Sequence, residues 1–551
     1  MEQGDRAVNR RDFLLSSAKF LSALALPALP GCRRAAGEIP FSGTVAGPSY
    51  RLGHRLLEGR IPPVSQERKV PVVILGGGIA GLCAGWKLNK SGFRDFEILE
   101  IEPEAGGVSR SGENSITPYP WGAHYVPLPT RESRAVRELF RDLGVIENPG
   151  AEGRTEYREE HLCFSPQERL YIHGKWQEGF LPLVGSARAD LDQFEAFREI
   201  VLEFKQRRGK DGKKTFAIPM ELSSRDPALL ALDRISMLEF LRRRGLDSTP
   251  LHWYVNYGCR DDYGCHYSQV SAWAGLHYYC SRGGEDDGGE TAVLTWPEGN
   301  GWIVKKLEKM LRPRILTGCL AYRVENGERE VRVEVYDASE NASIRIRAEE
   351  VICAIPRTFA RRIMADERPE EDGTAEFHYA PWLVGNLTLK SPPLPGPGAP
   401  LAWDNVLYDS PSLGYVVATH QGLGTHLRET VLTYYYALAD GPPARERVRL
   451  LRTGWKEWAG FILKDLSRAH PEIGELVTRL DLFLWGHAMV QPRVGFLWGR
   501  ERREAARPRG RVHFAHSDLS GFSLFEEAQY RGVLAAERVL RKIGVPFSSS
   551  L

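Results

Sequence analysis

The sequence has no long hydrophobic run. After the first thirty or so residues no segment reaches eighteen apolar positions, which excludes an ordinary membrane-spanning helix there. There is no C-x-x-C pair among the 8 cysteines (Cys32, Cys83, Cys163, Cys259, Cys265, Cys280, Cys319 and Cys353), so no thiolate zinc site is expected. Charge of either sign is not in excess: 73 Lys and Arg stand against 71 Asp and Glu, for a net charge of +2. Without a polybasic face, phosphate neutralisation has no footing, and nucleic acid is set aside as a partner. Internal repeats are also absent. What is present is a chain of 551 residues, 42% hydrophobic and 26% charged, which is the balance of a soluble globular protein too long for one core.

The first residues read as an address. Asn9-Arg10-Arg11-Asp12-Phe13-Leu14-Leu15 resembles a twin-arginine export signal, and a weakly apolar stretch follows to Leu29, broken by Lys19. Leu29-Pro30-Gly31-Cys32 resembles a lipoprotein cleavage box, with Pro30 a departure. These resemblances imply export by the twin-arginine machinery to the periplasm, and a lipid on Cys32 would attach the protein to a membrane surface without spanning it. In an exported chain Cys259 and Cys265 either bridge or stay as buried free thiols.

Val72-Val73-Ile74-Leu75 reads as a buried strand, and Gly76, Gly78 and Gly81 follow it in G-x-G-x-x-G spacing. Gly76 serves the tight turn, Gly78 the approach of a pyrophosphate, and Gly81 the packing of a helix from about Ile79 to Asn89. Phe96 to Leu99 is the next strand. Glu100 follows it, 19 residues after Gly81, where an acid binds a ribose 2′-hydroxyl. Strand, turn, helix, strand and acid together predict a dinucleotide site at the helix N-terminus.

Later blocks suggest which dinucleotide. Gly106-Gly107, then Ser109 and Ser111, follow Glu100; Trp121-Gly122-Ala123-His124-Tyr125 comes next. Further on are Trp296 to Trp302, Val351-Ile352-Cys353-Ala354-Ile355-Pro356, and Val512 to Asp518 with a helix from Glu526 to Arg541. In this order the blocks resemble the flavin-containing amine oxidase and phytoene desaturase superfamily. The resemblance implies FAD as cofactor. Gly76, Gly78, Gly81, Glu100, Gly106, Gly107 and Ser109 would stand around it, with Asp518 at the ribityl chain and Ala528 where the last helix comes close. Val108 stands where the family has Arg, His516 where it has Gly, and Glu527 where it has the Gly of "E-G-A". A carboxylate at that helix end would repel a phosphate, so Glu527 is expected to turn into the active site.

The implied fold class is α/β: a discontinuous, glutathione-reductase-like Rossmann domain for FAD with an inserted α+β substrate domain. The boundaries read as signal 1–32, linker or arm 33–68, FAD-binding segments 69–130, 293–362 and 478–545, and substrate segments 131–292 and 363–477. The chemistry implied is hydride transfer from a small molecule, an amine or an unsaturated apolar compound, to the flavin. The alternatives are a carotenoid-like desaturase or isomerase, and a flavin-bound assembly protein without turnover. His124, in the block near the flavin, is expected to act as general base. Trp485 and His487 are expected in an aromatic wall. Asn386 falls where the family carries a lysine, with Lys390 further along the same strand. Tyr434, Tyr435 and Tyr436 alternate faces, and the sequence leaves open which faces the pocket. The acidic run Glu285 to Glu290 would attract a polyamine or simply be a solvated loop. Nothing in the sequence names the electron acceptor.

Overall fold

A computed structural model describes residues 39–147, 155–282, 292–365, 377–422 and 428–551. The export signal, the cleavage box and the acidic run 285–290 lie outside them. Among the described residues no helix is long and apolar enough to cross a membrane, and no group of three or more His, Cys, Asp or Glu side chains could hold a metal ion.

The nucleotide half is built on a parallel five-stranded sheet in the order Ile315–Leu316, Phe96–Leu99, Val72–Leu75, Glu350–Cys353, Val512–Phe514. Val72, Val73, Ile74 and Leu75 are all buried, as a central parallel strand covered on both faces must be. The helix Ile79–Lys90 buries nearly its whole surface because a second helix, Phe525–Lys542, crosses it. A Cβ on Gly532 would stand 2.1 Å from the Ala80 carbonyl oxygen, so only glycine permits that approach.

A four-stranded sheet attaches to this half, in the order Cys319–Asn326, Val331–Asp337, Ala342–Ala348, Val64–Lys69. Residues 33–68 read as a linker or arm in the sequence, but the described part of that segment is regular. Tyr50–Glu58 is a helix, and Val64–Lys69 pairs in parallel with Ala342–Ala348. The residues after Val64 are polar and largely exposed, as an edge strand allows.

The other half is a mixed sheet of eight strands. Its order is Val45–Ala46, Val477–Val490, Tyr379–Leu389, Thr430–Ala437, Gly414–Val417, Asp404–Leu407, Glu168–Ile172, Lys175–Glu178. The helices Arg188–Gln206, Thr249–Tyr263 and Ala272–Cys280 pack together in this half. One boundary needs correction. The FAD-binding domain was expected to resume at 478, yet Val477–Val490 pairs along the length of Tyr379–Leu389 and is the longest strand of the eight-stranded sheet. Leu480, Leu482 and Leu484 face one side while Phe483 and Trp485 join the aromatic cluster on the other, so the strand is apolar on both faces. Cys259 and Cys265 are buried free thiols, and burial pushes the Cys265 thiol up to about 12.

Candidate functional site

The glycine turn folds as its spacing predicts, and its three glycines do different work. Gly76 takes φ +99°, and its N–H donates to the Leu99 carbonyl at 2.8 Å. A Cβ on Gly81 would lie 1.9 Å from the Gly76 oxygen. Those two positions are closed by the protein's own backbone. Gly78, at the helix N-terminus, has no atom beyond its chain neighbours within 4 Å of where a Cβ would stand. It opens onto free space beside the helix's unpaired N–H groups, where an anion is stabilised.

Gly106 and Gly107 (φ +119° and +57°) fold over this opening, and the Gly106 N–H donates to the Gly77 carbonyl at 2.8 Å. Glu100 is 5% exposed; its carboxylate accepts from the Gly77 N–H at 2.6 Å and the Glu102 N–H at 2.9 Å. Burial pushes this carboxyl up and the two N–H groups pull it partly back. Ser109 is buried at the end of the loop. Arg110 donates to Glu102 at 3.1 Å and lies over the rings of Phe483 and Trp485, while its second Nη is buried without a partner. In the closing helix, both amide atoms of fully buried Gln529 also lack partners, next to half-buried Ala528.

At the last strand, Asp518 is fully buried. Its Oδ2 accepts from the Arg357 N–H at 2.7 Å and the Tyr379 O–H at 2.6 Å, and His516 Nδ1 lies 3.0 Å from its Oδ1. Burial raises this carboxyl, but His516, Tyr379 and the Arg357 N–H together hold it below the usual range. The whole set fits a dinucleotide. It combines a buried acid for a ribose, an opening at a helix N-terminus for a pyrophosphate, and buried polar groups with hydrogen bonds still to make.

Val108 follows Gly107 directly and lines a cavity of about 140 Å³ whose walls include His124, Tyr435, Trp485, Trp382 and Tyr257. His124 stacks on Tyr435 with ring centres 4.5 Å apart. Burial lowers its imidazole to about 4, with the Gly122 carbonyl opposing, so it is neutral at pH 7. The Tyr435 hydroxyl donates to the Gly122 oxygen at 2.9 Å, whereas Tyr434 donates to Asp465 at 2.9 Å and Tyr436 accepts from Arg449 at 3.2 Å. Of the three tyrosines, Tyr435 is the one that faces the cavity. The Trp485 indole N–H donates to the Trp121 carbonyl at 2.6 Å, which fixes that wall.

Three expectations are corrected. Asn386 is not in the cavity: it is buried in the sheet, donating to the Pro120 carbonyl at 3.1 Å and accepting from Thr433 at 2.6 Å, so its amide bridges two segments. Lys390, beyond it, is exposed. His487 lies two residues past Trp485 but outside the cavity wall, 5.3 Å from the Phe359 ring; the pairing with Tyr379–Leu389 shifts register here, and Ala488 and Met489 take the wall instead. Glu527 turns away, accepting from the Met220 N–H at 2.6 Å; its neighbour Glu526 lines the cavity, and burial pushes that carboxyl up to about 7. One residue on a helix is a rotation of about 100°, so the sequence placed the acid on the right turn and the wrong face.

Sequence reasoning missed Asp261 and Asp404, which also line the cavity. They are 143 residues apart in the chain (404 minus 261), and no local motif joins them.

Residues 74–143 match the model of the NAD(P)-binding Rossmann-like domain family. Over 517 residues the chain is 22% identical to the flavin-dependent L-tryptophan oxidase RebO of Lentzea aerocolonigenes, covering 85% of this chain and 97% of that protein. Its structure is similar to that of a putrescine oxidase double mutant (TM-score 0.64, 14% identity, 86% of this chain and 100% of that one). It is also similar to cyclohexylamine oxidase from Brevibacterium oxydans (TM-score 0.61, 16% identity, 87% and 100%). The chain therefore has the fold of the flavin-dependent amine oxidases, with a Rossmann-like half joined to an eight-stranded sheet that walls an aromatic cavity.

Proposed function

We propose that this protein is an FAD-dependent oxidoreductase that oxidises an amine. One observation carries the reading: the loop Gly106–Val108, which frames the dinucleotide opening, runs directly into the wall of an aromatic cavity that also holds carboxylates. The similarity to the tryptophan, putrescine and cyclohexylamine oxidases supports it. Glu100, Gly78 and the Gly106–Gly107 loop would hold the adenosine and pyrophosphate, and Asp518 the far end of the cofactor. FAD, when bound, supplies the hydride acceptor. Tyr435, His124 and Trp485 exclude water and flank the substrate, and neutral His124 adds no charge that would repel an ammonium group. Glu526, at about 7, is poised to take the proton that an ammonium group must lose before its carbon can give up hydride. A desaturase or isomerase of an apolar chain fits less well, because burying carboxylates against hydrocarbon is costly.

Purified protein is expected to be yellow, and anaerobic mixing with a panel of primary and secondary amines is expected to bleach it. Colourless protein, or protein that releases NAD on denaturation, removes the flavin assignment. FAD that no amine reduces leaves a flavoprotein without this activity.

The location we propose rests on the sequence. Arg10→Lys with Arg11→Lys is expected to hold the protein in the cytoplasm, since an export receptor reads the pair. Cys32→Ser is expected to release it from the membrane fraction or leave its signal uncleaved. Periplasmic arrival of the double variant excludes the twin-arginine route, and unchanged mass and fractionation of the serine variant exclude lipidation.

A further inference from the structure

The cavity is lined by four carboxyl groups, Asp261, Asp262, Asp404 and Glu526, against one cation, Arg282. Arg282 is already engaged: it donates to Asp262 at 2.6 Å. The remaining Asp262 oxygen, on a side chain 5% exposed, has no hydrogen-bond partner. Asp261 sits on the helix Thr249–Tyr263, one turn after cavity-lining Tyr257. Asp404 starts the strand Asp404–Leu407 and pairs in register with Glu168 on the parallel neighbour. No salt bridge joins Asp261, Asp404 or Glu168 to a cation of the described residues. Three elements thus bring Asp261, Asp404 and Glu168 close together, with Asp261 and Asp404 in the cavity lining.

We propose that the cavity takes an amine with a second cationic centre, a diamine or longer polyamine, and that Asp261 and Asp404 hold the far ammonium group. This deepens the amine oxidation reading and rests on it. An uncompensated buried carboxylate either takes up a proton or waits for a cation. Without ligand the proton is favoured: burial and then repulsion from Asp261 and Glu168 push Asp404 up, and burial and then Asp262 push Asp261 up to about 7, against Arg282. Burial likewise takes Glu168 to about 7. Other titratable groups that face this end are the phenols of Tyr125, Tyr254, Tyr257, Tyr278 and Tyr435 and the thiol of Cys163. An ammonium ion entering here displaces protons and satisfies the group. A monoamine has one charge, and its ammonium end is needed near the redox centre. An amino acid brings a carboxylate for which the cavity has no unengaged cation. The rings of Tyr257 and Trp382 suit a methylene chain and the face of a cation.

The test is calorimetric titration of the purified full-length protein with 1,4-diaminobutane, n-butylamine and tryptophan, in parallel with Asp404→Asn and Asp261→Asn. The diamine is expected to bind at least about tenfold tighter than butylamine, and each asparagine variant to bring that ratio towards one. Its binding heat is expected to vary with buffer ionisation enthalpy, because protons leave as it enters. Melting curves of both variants show whether each is folded, and either folded variant suffices. Equal affinities for the two amines, tightest binding of tryptophan, no binding of the diamine, or a ratio that survives both substitutions would overturn the proposal. The oxidase reading fails separately. Diamine preference without flavin bleaching removes turnover and keeps the site, and bleaching by monoamines with equal affinities does the reverse.

Discussion

Gly78→Val is expected to give a folded protein that carries no FAD. Gly78 has φ −71° and ψ 179°, an extended conformation that valine adopts without strain. No atom beyond its chain neighbours stands within 4 Å of its Cβ position, so the side chain starts into open space in the apoprotein. The added side chain fills the opening at the helix N-terminus, where a pyrophosphate would need the space. Gly81→Val is the contrasting case. Its Cβ would press into the Gly76 carbonyl at 1.9 Å, so the strand and helix must separate and folding itself should fail. Bound ligand stabilises by mass action, about 2.7 kcal/mol at a hundredfold excess over Kd, so the proper reference for the Gly78 variant is flavin-stripped wild type. The measurement is visible absorbance after gel filtration beside the melting temperature. A yellow Gly78→Val protein would show that the cofactor does not cross this opening.

His124→Ala should keep its FAD, lose about 2–4 kcal/mol of stability through the lost stack and the cavity left behind, and slow flavin reduction by less than about a hundredfold. From the sequence His124 is a general base, and such a role typically contributes ~10²–10⁴-fold. The structure argues for a smaller share. An imidazole lowered to about 4 is a weak proton acceptor at pH 7, and here it is held against Tyr435. The pH dependence has a definite sign. Because the folded value lies below the unfolded one of about 6.5, the stabilisation is fully present above pH 6.5 and is lost as pH falls from there towards 4. The stability gap between wild type and His124→Ala should therefore narrow across that window. Rates that drop a thousandfold or more with unchanged melting would restore the catalytic role.

The nucleotide site was legible in the sequence because its signals are local. Gly76, Gly78, Gly81 and Glu100 lie within twenty-five residues and encode a turn, an opening and a buried acid with little help from elsewhere. The cavity was legible only in part. His124 and Trp485 sit in blocks whose order points to a wall, and both are there. Asn386 was misplaced because a strand position says which face a side chain takes but not which loop covers it, and Pro120 covers this one. Glu527 was misjudged by one helical step. Asp261, Asp404 and Glu168 were invisible, since only the pairing of two distant strands and the seating of a helix against them bring the three together.

The order of the five-stranded sheet also bears on how the chain is made. Its central strand, Val72–Leu75, is synthesised early, but the edge strand beyond Glu350–Cys353 is Val512–Phe514, and the helix that crosses the first helix begins at Phe525. More than four hundred residues must therefore leave the ribosome between the first strand of the dinucleotide half and the last (512 minus 75). Such distant pairings close slowly, because the entropy of a long loop is spent before its contacts form. Until then the helix Ile79–Lys90 and its glycine turn wait with an apolar face uncovered, a surface that invites aggregation or a chaperone. Loading of the nucleotide consequently waits until the strand Val512–Phe514 and the helix Phe525–Lys542 have been made and docked.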